Sequence, residues 1–279
     1  MPMVIGSSPI VIFRAPLRVA AVGGLSGLIL AAITLEESVR AVSDERRDAY
    51  VRRWARSMLK VLAVSVEIEA APGTLEKGGR PRLVPRRSRF GTPGGVGLPR
   101  VVVANHRSTL DILVLLDLFG GHLLARGDMA EWPAIGVLAK RAGTLFVDRA
   151  DPASGAAAVQ RIRERLRRGV TISVFPEGTT FEGDEVREFQ AGAFVAIARE
   201  RGEIVPVGIA YERPDAIFGD EPAIDHMKRL VRAPSFRVGV SIGTPILATA
   251  SRVGSLAATA RAEVQALVHR ARARLGSAP

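Results

Sequence analysis

The chain has 279 residues, of which 47% are hydrophobic, enough apolar material for one large domain with a sizeable core. Because it contains no cysteine, disulfides, zinc–thiolate sites, iron–sulfur clusters and a cysteine nucleophile are excluded. Lysine and arginine outnumber aspartate and glutamate by 39 to 28, and the net charge of +11 predicts an acidic partner: nucleic acid, anionic lipid or an acidic protein. Only 5% of residues are aromatic, which counts against single-stranded nucleic acid.

Two apolar runs open the chain, over residues 4–13 and 19–35. The second has 17 residues without a charge, at the lower end of the roughly 17–25 that cross a bilayer as a helix. This length favours a membrane anchor, with a buried core helix and a cleaved signal peptide as alternatives. Glu36 and Glu37 follow the run without a small-x-small cleavage site, which counts against a signal peptide.

Residues 44–66 place arginines between apolar side chains at helical spacing, which predicts an amphipathic helix. Next to the apolar run, this helix is interpreted as lying on an anionic membrane surface; an ordinary surface helix with a solvated basic face is the alternative. Residues 1–66 are therefore predicted to be N-terminal membrane-anchoring helices. Residues 67–100 are rich in glycine, proline and basic side chains, so they are predicted to be a flexible basic loop.

From residue 101 onward, short strands alternate with helices. The predicted strands are 101–104, 144–147, 170–175, 204–211 and 236–242, and the predicted helices are 109–118, 133–141, 153–168, 191–200 and 252–275. This alternation predicts an α/β domain over residues 101–279, with a largely parallel central sheet flanked by helices and ligand sites at the carboxyl ends of the strands. The last helix has one apolar side, for which packing on the domain is favoured over contact with lipid.

In the sequence VVVANHRSTLD, residues 101–111, a predicted strand of β-branched residues is followed directly by polar side chains, which include a histidine and an aspartate. If Ser108 caps the following helix, Asp111 occupies its third position, where a carboxylate interacts favourably with the helix dipole and can reach back to the cap. His106 then lies just before the helix, within reach of Asp111. Because a neighbouring carboxylate orients an imidazole and makes it a better base, Asp111 is interpreted either as a cap alone or as the partner of a catalytic base.

Two further strand ends carry polar groups. In TISVFPEGTTFEGD, residues 171–184, Gly178 permits a close backbone approach, and Glu177 either fixes the loop or binds substrate hydroxyls. In AGTLFVDRAD, residues 142–151, Arg149 suits bidentate phosphate binding, with a solvated arginine as the alternative. Three such strand ends indicate one site.

Together these segments resemble the glycerolipid acyltransferase family, whose bacterial type is 1-acyl-sn-glycerol-3-phosphate acyltransferase. Four family blocks occur in order: N-H-x4-D at residues 105–111, G-x-x-F-x-x-R at 143–149, F-P-E-G-T at 175–179, and the hydrophobic strand IVPVGI around Pro206. Each block alone is common, but their joint order and spacing are highly specific.

The resemblance implies an O-acyltransferase that moves a fatty acyl group from acyl-CoA or acyl-acyl carrier protein to the free hydroxyl of a lysophospholipid. The expected acceptor is 1-acylglycerol-3-phosphate, which gives phosphatidate. His106 is assigned as the general base and Asp111 as the residue that orients it; no acyl-enzyme, metal or bound cofactor is expected. Backbone N–H groups beside Gly178 are expected to stabilise the oxyanion. The residues assigned to substrate binding are Arg126, Arg149, Glu177, Gly178, Thr179 and Thr180.

One position departs from the family pattern. Thr180 stands where E-G-T-R has arginine, and a hydroxyl adds no positive charge, so another lyso-lipid such as lyso-ornithine lipid is the alternative acceptor. The expected partners are the lyso-lipid, an anionic membrane surface and an acyl carrier protein, without nucleic acid, at the cytoplasmic face of the inner membrane. The rival hypotheses are a membrane-binding module without activity and a nucleic-acid-binding protein that uses the basic loop.

Overall fold

Helices and strands alternate along the chain in the computed structural model, which describes residues 9–76, 83, 97–131, 135–148, 150–248 and 253–276, with the backbone only at residues 9–13, 135 and 152. The helices are α1 (Pro9–Val39), α2 (Asp44–Val61), α3 (Leu110–Phe119), α4 (Ile135–Arg141), α5 (Pro152–Arg167), α6 (Gly192–Arg199), α7 (Ala223–Arg232) and α8 (Val253–Gly276). The strands are β1 (Val64–Ala70), β2 (Arg100–Ala104), β3 (His122–Arg126), β4 (Leu145–Val147), β5 (Ile172–Val174), β6 (Glu203–Tyr211), β7 (Phe236–Ile242) and β8 (Ile246–Leu247). Most of the predicted basic loop lies outside the described residues.

The strands of the described chain form one sheet in the order β1-β7-β6-β2-β5-β3-β4, with β8 beside the start of β6. Strands β2 to β6 run parallel to one another, β7 and β8 pair antiparallel with β6, and β1 runs parallel to β7. The predicted α/β fold with a largely parallel sheet is therefore confirmed. Because β2 to β6 point the same way, their carboxyl ends meet at one edge of the sheet.

The central strand β2 is buried on both faces, which explains its unbroken apolar run. Val101, Val102, Val103 and Ala104 are at most 1% exposed. Val102 and Ala104 pack with residues of α2 and α3, whereas Val101 and Val103 pack with residues of α5, α6 and α8. The strand that leads to His106 is thus held from both sides.

The sequence analysis does not predict β1, β3, β8 or α7. Of these, β1 corrects the boundary drawn at residue 66, because the helix predicted over 44–66 ends at Val61 and Val64–Ala70 pairs in register with β7. The β1 sequence VSVEIEA alternates apolar and charged residues, the pattern of a strand with one solvated face. Residues 64–70 therefore belong to the sheet rather than to an anchor or a flexible loop.

Helix α2 packs its apolar side on the α/β domain. Val51, Ala55, Met58 and Leu59 are buried, and the helix contacts α3. Arg52 donates to the carbonyls of the last residues of α3, where the helix dipole is negative. The alternative of an ordinary surface helix accounts for these contacts better than a helix that rests its apolar side on a membrane.

Helix α1 contains residues 9–13 of the first apolar run and the whole of the second, and it continues through Pro16. Its segment Arg14–Val39 has a mean hydropathy of 1.9 in its most apolar window, and only 6% of that window is buried, which contradicts a core helix. By length and composition alone, the segment is long and apolar enough to cross a membrane. Arg18 ties α1 to the end of α7 by donating to backbone carbonyls at Val231, Ala233 and Pro234.

Helix α8 lies directly on β6 and β7, as the packing alternative for the last helix predicts. Its apolar side chains Leu256, Val264, Leu267, Val268 and Leu275 are buried. A Cβ at Gly208 in β6 would lie 2.3 Å from the backbone of Leu267 and Val268. Glycine is needed at this position because the helix and the strand approach more closely than a side chain allows.

Candidate active site

A groove of about 290 Å³ opens at the edge of the sheet where the parallel strands end. Its polar side includes His106, Arg126, Gly178, Thr179 and Thr180. Its apolar side includes Ile112, Leu123, Leu124, Met129, Phe175 and Phe218. The structure therefore brings together most of the residues that the sequence analysis selected, beside a surface that suits a hydrocarbon chain.

His106 and Asp111 are in contact at this groove. Asp111 Oδ2 lies 2.9 Å from His106 Nδ1, and the aspartate side chain is fully buried. Because a carboxylate only accepts, Nδ1 carries the hydrogen and Nε2 is left to accept a proton. The imidazole also stacks on Phe175, with 4.0 Å between ring centres, so both its tautomer and its plane are fixed.

Asp111 caps the chain before α3 as well as orienting His106. Its Oδ2 accepts from the backbone N–H groups of Arg107, at 2.6 Å, and Ser108, at 2.8 Å. The helix begins at Leu110, one residue later than predicted, with Ser108 Oγ accepting from the N–H of Leu110 at 3.2 Å. The two interpretations of Asp111 are thus compatible, because one carboxylate oxygen serves both the cap and the imidazole.

Asn105 extends the pairing of β2 with β6 by one position. Its side-chain amide donates to the carbonyl of Ile209 at 2.9 Å and accepts from the N–H of the same residue at 2.8 Å. This two-bond contact fixes the end of β2 immediately before His106. The asparagine of the N-H-x4-D block therefore holds the histidine loop against the sheet.

Tyr211, at the carboxyl end of β6, is a site residue that the sequence analysis did not select. Its hydroxyl donates to Asp111 Oδ1 at 2.5 Å, and the ring is almost fully buried. Burial, followed by the neighbouring Asp111 charge, raises the pKa of Tyr211 well above its ordinary value, so the phenol remains a donor. Each carboxylate oxygen of Asp111 therefore accepts at least one hydrogen bond.

We expect Tyr211→Phe to lower the free energy of unfolding by about 1–3 kcal/mol, because Asp111 Oδ1 then loses its donor in a buried place. Turnover should fall about tenfold, since the carboxylate that orients His106 is held less firmly. Denaturant unfolding and initial rates measure the two effects. Tyr50→Phe is the matched control: it removes a phenol that donates to Glu36, away from the groove. Equal behaviour of the two variants would contradict the role given to Tyr211.

Glu177 forms a buried ion pair with Arg107. Glu177 Oε1 accepts from Arg107 Nη1 and from the backbone N–H of His106, both at 2.9 Å, while Oε2 accepts from the backbone N–H of Arg187 at 3.0 Å. The Glu177 side chain is 0% exposed. Of the two roles that the sequence left open for Glu177, this geometry favours fixing the loop over binding substrate hydroxyls.

Arg107 joins the loop after β2 to the loop after β5. Its guanidinium donates to the carbonyls of His106 at 2.7 Å, Gly183 at 2.6 Å and Glu185 at 2.7 Å, in addition to Glu177. No sequence signal separates this arginine from a solvated one, because its acceptors at Glu177, Gly183 and Glu185 are distant along the chain. Together with the direct bonds from His106 to Glu177 and from Phe181 to His106, it joins the histidine to the glycine-containing turn.

The two residues after Gly178, Thr179 and Thr180, line the groove and carry backbone N–H groups without an acceptor among the described residues. Gly178 has φ of 93°, a conformation that favours glycine, and its own N–H donates to the carbonyl of Phe175. The N–H of Phe181 donates to the carbonyl of His106. Between them, the N–H groups of Thr179 and Thr180 have no acceptor within the part of the chain that the structure describes. Two adjacent unpaired donors can hold an oxyanion.

Comparison with known proteins agrees with this geometry. A protein-family model described as Acyltransferase matches residues 85–210. A lyso-ornithine lipid O-acyltransferase of Pseudomonas aeruginosa is 40% identical over 157 residues, which cover 53% of this chain and 59% of the relative. Another, of Brucella abortus, is 32% identical over 195 residues, which cover 63% of this chain and 73% of the relative. The chain belongs to the glycerolipid acyltransferase family.

The fold of this acyltransferase-family chain also resembles a solved structure. The crystal structure of a 1-acyl-sn-glycerophosphate acyltransferase from Thermotoga maritima superimposes with a TM-score of 0.65 at 19% identity. The superposition covers 94% of this chain and 98% of that one. The two chains therefore share the fold across nearly their whole length.

Of the two arginines that are predicted to bind phosphate, the structure describes only Arg126. Arg126 ends β3, lines the groove and is 54% exposed, with its guanidinium paired to Asp128 at 2.7 and 3.0 Å. Arg149 lies outside the described residues, so its assignment stays a prediction. The glycine of the same block, Gly143, has φ of 81° and lies against the His122 ring, where a Cβ would be 2.4 Å from Nε2. Gly143 is thus explained by backbone conformation and packing.

Within the described ranges, no group of three or more histidine, aspartate or glutamate side chains is placed to hold a metal ion. The chemistry available at the groove is that of a histidine base, its carboxylate and backbone donors. These are the groups that activate a hydroxyl and stabilise a tetrahedral oxyanion.

Proposed function

We propose that this protein transfers a fatty acyl group from a thioester to the free hydroxyl of a lyso-lipid. The observation that carries the proposal is the contact between His106 and Asp111 at an apolar groove that Thr179 and Thr180 also line, whose backbone N–H groups have no acceptor among the described residues. A base, an oxyanion site and space for a hydrocarbon chain are the three requirements of acyl transfer to a lipid alcohol.

The proposed reaction needs one proton carrier. His106 Nε2 takes the proton of the acceptor hydroxyl while the oxygen attacks the carbonyl carbon of the thioester, and Asp111 stabilises the imidazolium. The N–H groups of Thr179 and Thr180 donate to the carbonyl oxygen as its negative charge develops. Collapse of the tetrahedral intermediate forms the ester and breaks the C–S bond, and the leaving thiolate takes the proton from His106. No acyl-enzyme forms.

The donor that we propose is acyl-CoA or acyl-acyl carrier protein, and the place of reaction is the cytoplasmic face of the inner membrane. The apolar and largely exposed helix α1 supports membrane attachment, because leaving side chains such as Leu17, Leu28 and Leu35 in water is unfavourable. The net charge of +11 supports attraction to an anionic lipid surface.

For the acceptor we propose lyso-ornithine lipid ahead of lysophosphatidate. Thr180 lines the groove where the family pattern has arginine, so this wall lacks a charge that would bind a phosphate. Both curated relatives described above are named lyso-ornithine lipid O-acyltransferases. Lysophosphatidate remains the second candidate, because Arg126 lines the same groove and can bind a phosphate.

Thr180→Arg tests the acceptor. Purified protein is incubated with acyl-CoA and either lyso-ornithine lipid or lysophosphatidate, and free thiol is followed. We expect the wild type to prefer lyso-ornithine lipid, and Thr180→Arg to raise kcat/KM for lysophosphatidate about tenfold, the effect of one hydrogen bond to a charged group. Thr180→Val is the control without charge or hydroxyl.

Two outcomes would contradict these proposals in different ways. Preference of the wild type for lysophosphatidate would reject the acceptor and keep acyl transfer. Lipid binding without thiol release from either acceptor would reject acyl transfer to these lipids and support a membrane-binding module without activity.

A further inference from the structure

A second histidine lies beside the groove, and the proposed reaction does not use it. His226 in α7 is fully buried and stacks on Phe218, a side chain of the groove, with 4.6 Å between ring centres. Its Nε2 is 3.1 Å from Oγ1 of Thr109, which also lines the groove. The direction of this hydrogen bond decides what the Thr109 hydroxyl can do.

Arg229 fixes the hydrogen of His226. Arg229 Nη2 lies 3.0 Å from His226 Nδ1, and the guanidinium is held by the carbonyls of Asp215 and Ile217 and by the carboxylate of Glu221. Glu221 Oε1 is farther from Nδ1, at 3.4 Å, and is already paired with Arg229. Nη2 has two hydrogens for three acceptors, so the one directed at His226 Nδ1 is shared with Ile217 or Glu221. Because an arginine side chain only donates, Nδ1 accepts in this contact and Nε2 carries the ring hydrogen. Burial, followed by the Arg229 charge, lowers the pKa of His226 to about 4, which keeps the ring neutral.

The nearer of two hydroxyl oxygens to His226 Nε2 is Thr109 Oγ1, at 3.1 Å against 3.5 Å for Ser108 Oγ. The Nε2–H therefore donates to Thr109, whose own hydroxyl hydrogen is left to donate elsewhere. Its acceptor in the structure is the sulfur of Met227 at 3.7 Å, which is a weak acceptor. Thr109 occupies the N-cap position of α3, but its side chain makes no capping bond there. The Thr109 hydroxyl is therefore not explained by helix capping. Because the residue lines the groove, the hydroxyl is placed to contact a bound substrate.

We propose that Thr109 donates a hydrogen bond to an oxygen of the bound substrate, and that His226 and Arg229 are positioning residues that set the direction of its hydroxyl. This inference rests on the proposed acyl transfer and adds a substrate contact to it. The thioester carbonyl and the acceptor lipid both carry oxygens of the required kind. The experiment below varies the two substrates separately to tell them apart.

Thr109→Val keeps the shape of the side chain and removes its hydroxyl, whereas Thr109→Ser keeps the hydroxyl. We expect Thr109→Val to lower kcat/KM about tenfold, the effect of about 1.4 kcal/mol, and Thr109→Ser to stay within about twofold of the wild type. Acyl-CoA and the lyso-lipid are titrated separately, and Thr109→Val should raise KM for the substrate whose oxygen accepts the hydrogen bond. Thr259→Val, on the exposed side of α8, is the matched control and should not change either KM.

His226 is tested through its coupling to Thr109. His226→Gln retains an N–H donor and should lose less activity than His226→Leu. In the Thr109→Val background, His226→Leu should cause no further loss in kcat/KM. The effects of substituting two residues that act through one hydrogen bond are not additive. Thr109→Val alone keeps the substrate contact testable if His226→Leu does not fold.

The inference is overturned if Thr109→Val matches the wild type in both titrations, or if Thr109→Ser loses as much activity as Thr109→Val. Independent, additive losses in the double variant would overturn the positioning role of His226. All of these outcomes presuppose wild-type thiol release. Its absence would instead reject the proposed function, so the two failures are distinguishable.

Discussion

His106→Ala should lower the rate of acyl transfer about 10³-fold, the magnitude expected when a general base is removed. The reason is specific to the geometry: Nε2 of His106 is the ring nitrogen left to accept a proton at the groove, since Nδ1 is engaged by Asp111. Asp111→Asn should cause a loss of similar size, because an amide can present its N–H to Nδ1 and stabilise the tautomer that leaves no acceptor at Nε2. Thiol release from acyl-CoA in the presence of the lyso-lipid measures both.

The control for this experiment is His269→Gln. His269 lies on α8, where its Nε2 is 2.9 Å from Gln265 Nε2, and the side chain does not line the groove. Its replacement should leave turnover unchanged, and sedimentation with lipid vesicles should be the same for all variants. Turnover of His106→Ala near that of His269→Gln would show that another group removes the proton.

Glu177→Gln should lower the free energy of unfolding by about 3 kcal/mol, because it leaves the Arg107 guanidinium buried without its countercharge. The pair is 2% and 0% exposed, so water cannot replace the lost partner. Activity should fall even under conditions where the protein is folded, since Glu177 also holds the backbone of His106 and of Arg187. Denaturant unfolding at constant pH gives the first effect, and initial rates give the second.

Asp225→Asn provides the matched comparison. Asp225 pairs with Lys228 on α7, where both side chains are about half exposed, at 50% and 52%. Removing this exposed ion pair should cost no more than about 1 kcal/mol. If Glu177→Gln and Asp225→Asn shifted the unfolding midpoint equally, the buried pair would not be the element that fixes the loop.

The parts of the site that the sequence predicted are those that depend on local pattern. The buried strand before His106, the helix start at Asp111 and the turn at Gly178 each follow from a run of apolar residues that ends in polar ones. Their meeting at one edge follows from the parallel sheet. For this reason His106 and Gly178 could be selected from the pattern alone, whereas Arg126, Thr179 and Thr180 were selected through the resemblance to the family.

The residues that the sequence did not reveal act through contacts distant along the chain. Tyr211 is 100 positions from Asp111, and Arg107 is 70 positions from Glu177. A buried tyrosine at a strand end and an arginine in a loop have ordinary patterns, so only the tertiary structure distinguishes their roles. Strand β1 is a different case: its alternation of apolar and charged residues is visible in the sequence, but it directly follows α2, and its pairing with β7 is set by the tertiary structure.

The Arg107 and Glu177 contacts make the catalytic groups depend on cooperative folding. The Arg107 guanidinium and the Glu177 carboxylate join the loop after β2, the turn after β5 and the segment near Gly183, together with the backbone bond from Phe181 to His106. Opening of the loop after β2 or of the turn after β5 breaks the Glu177 contacts, so the proposed base and oxyanion donors lose their alignment together. Loss of activity on heating should therefore begin with the first opening of this edge, before the whole sheet unfolds.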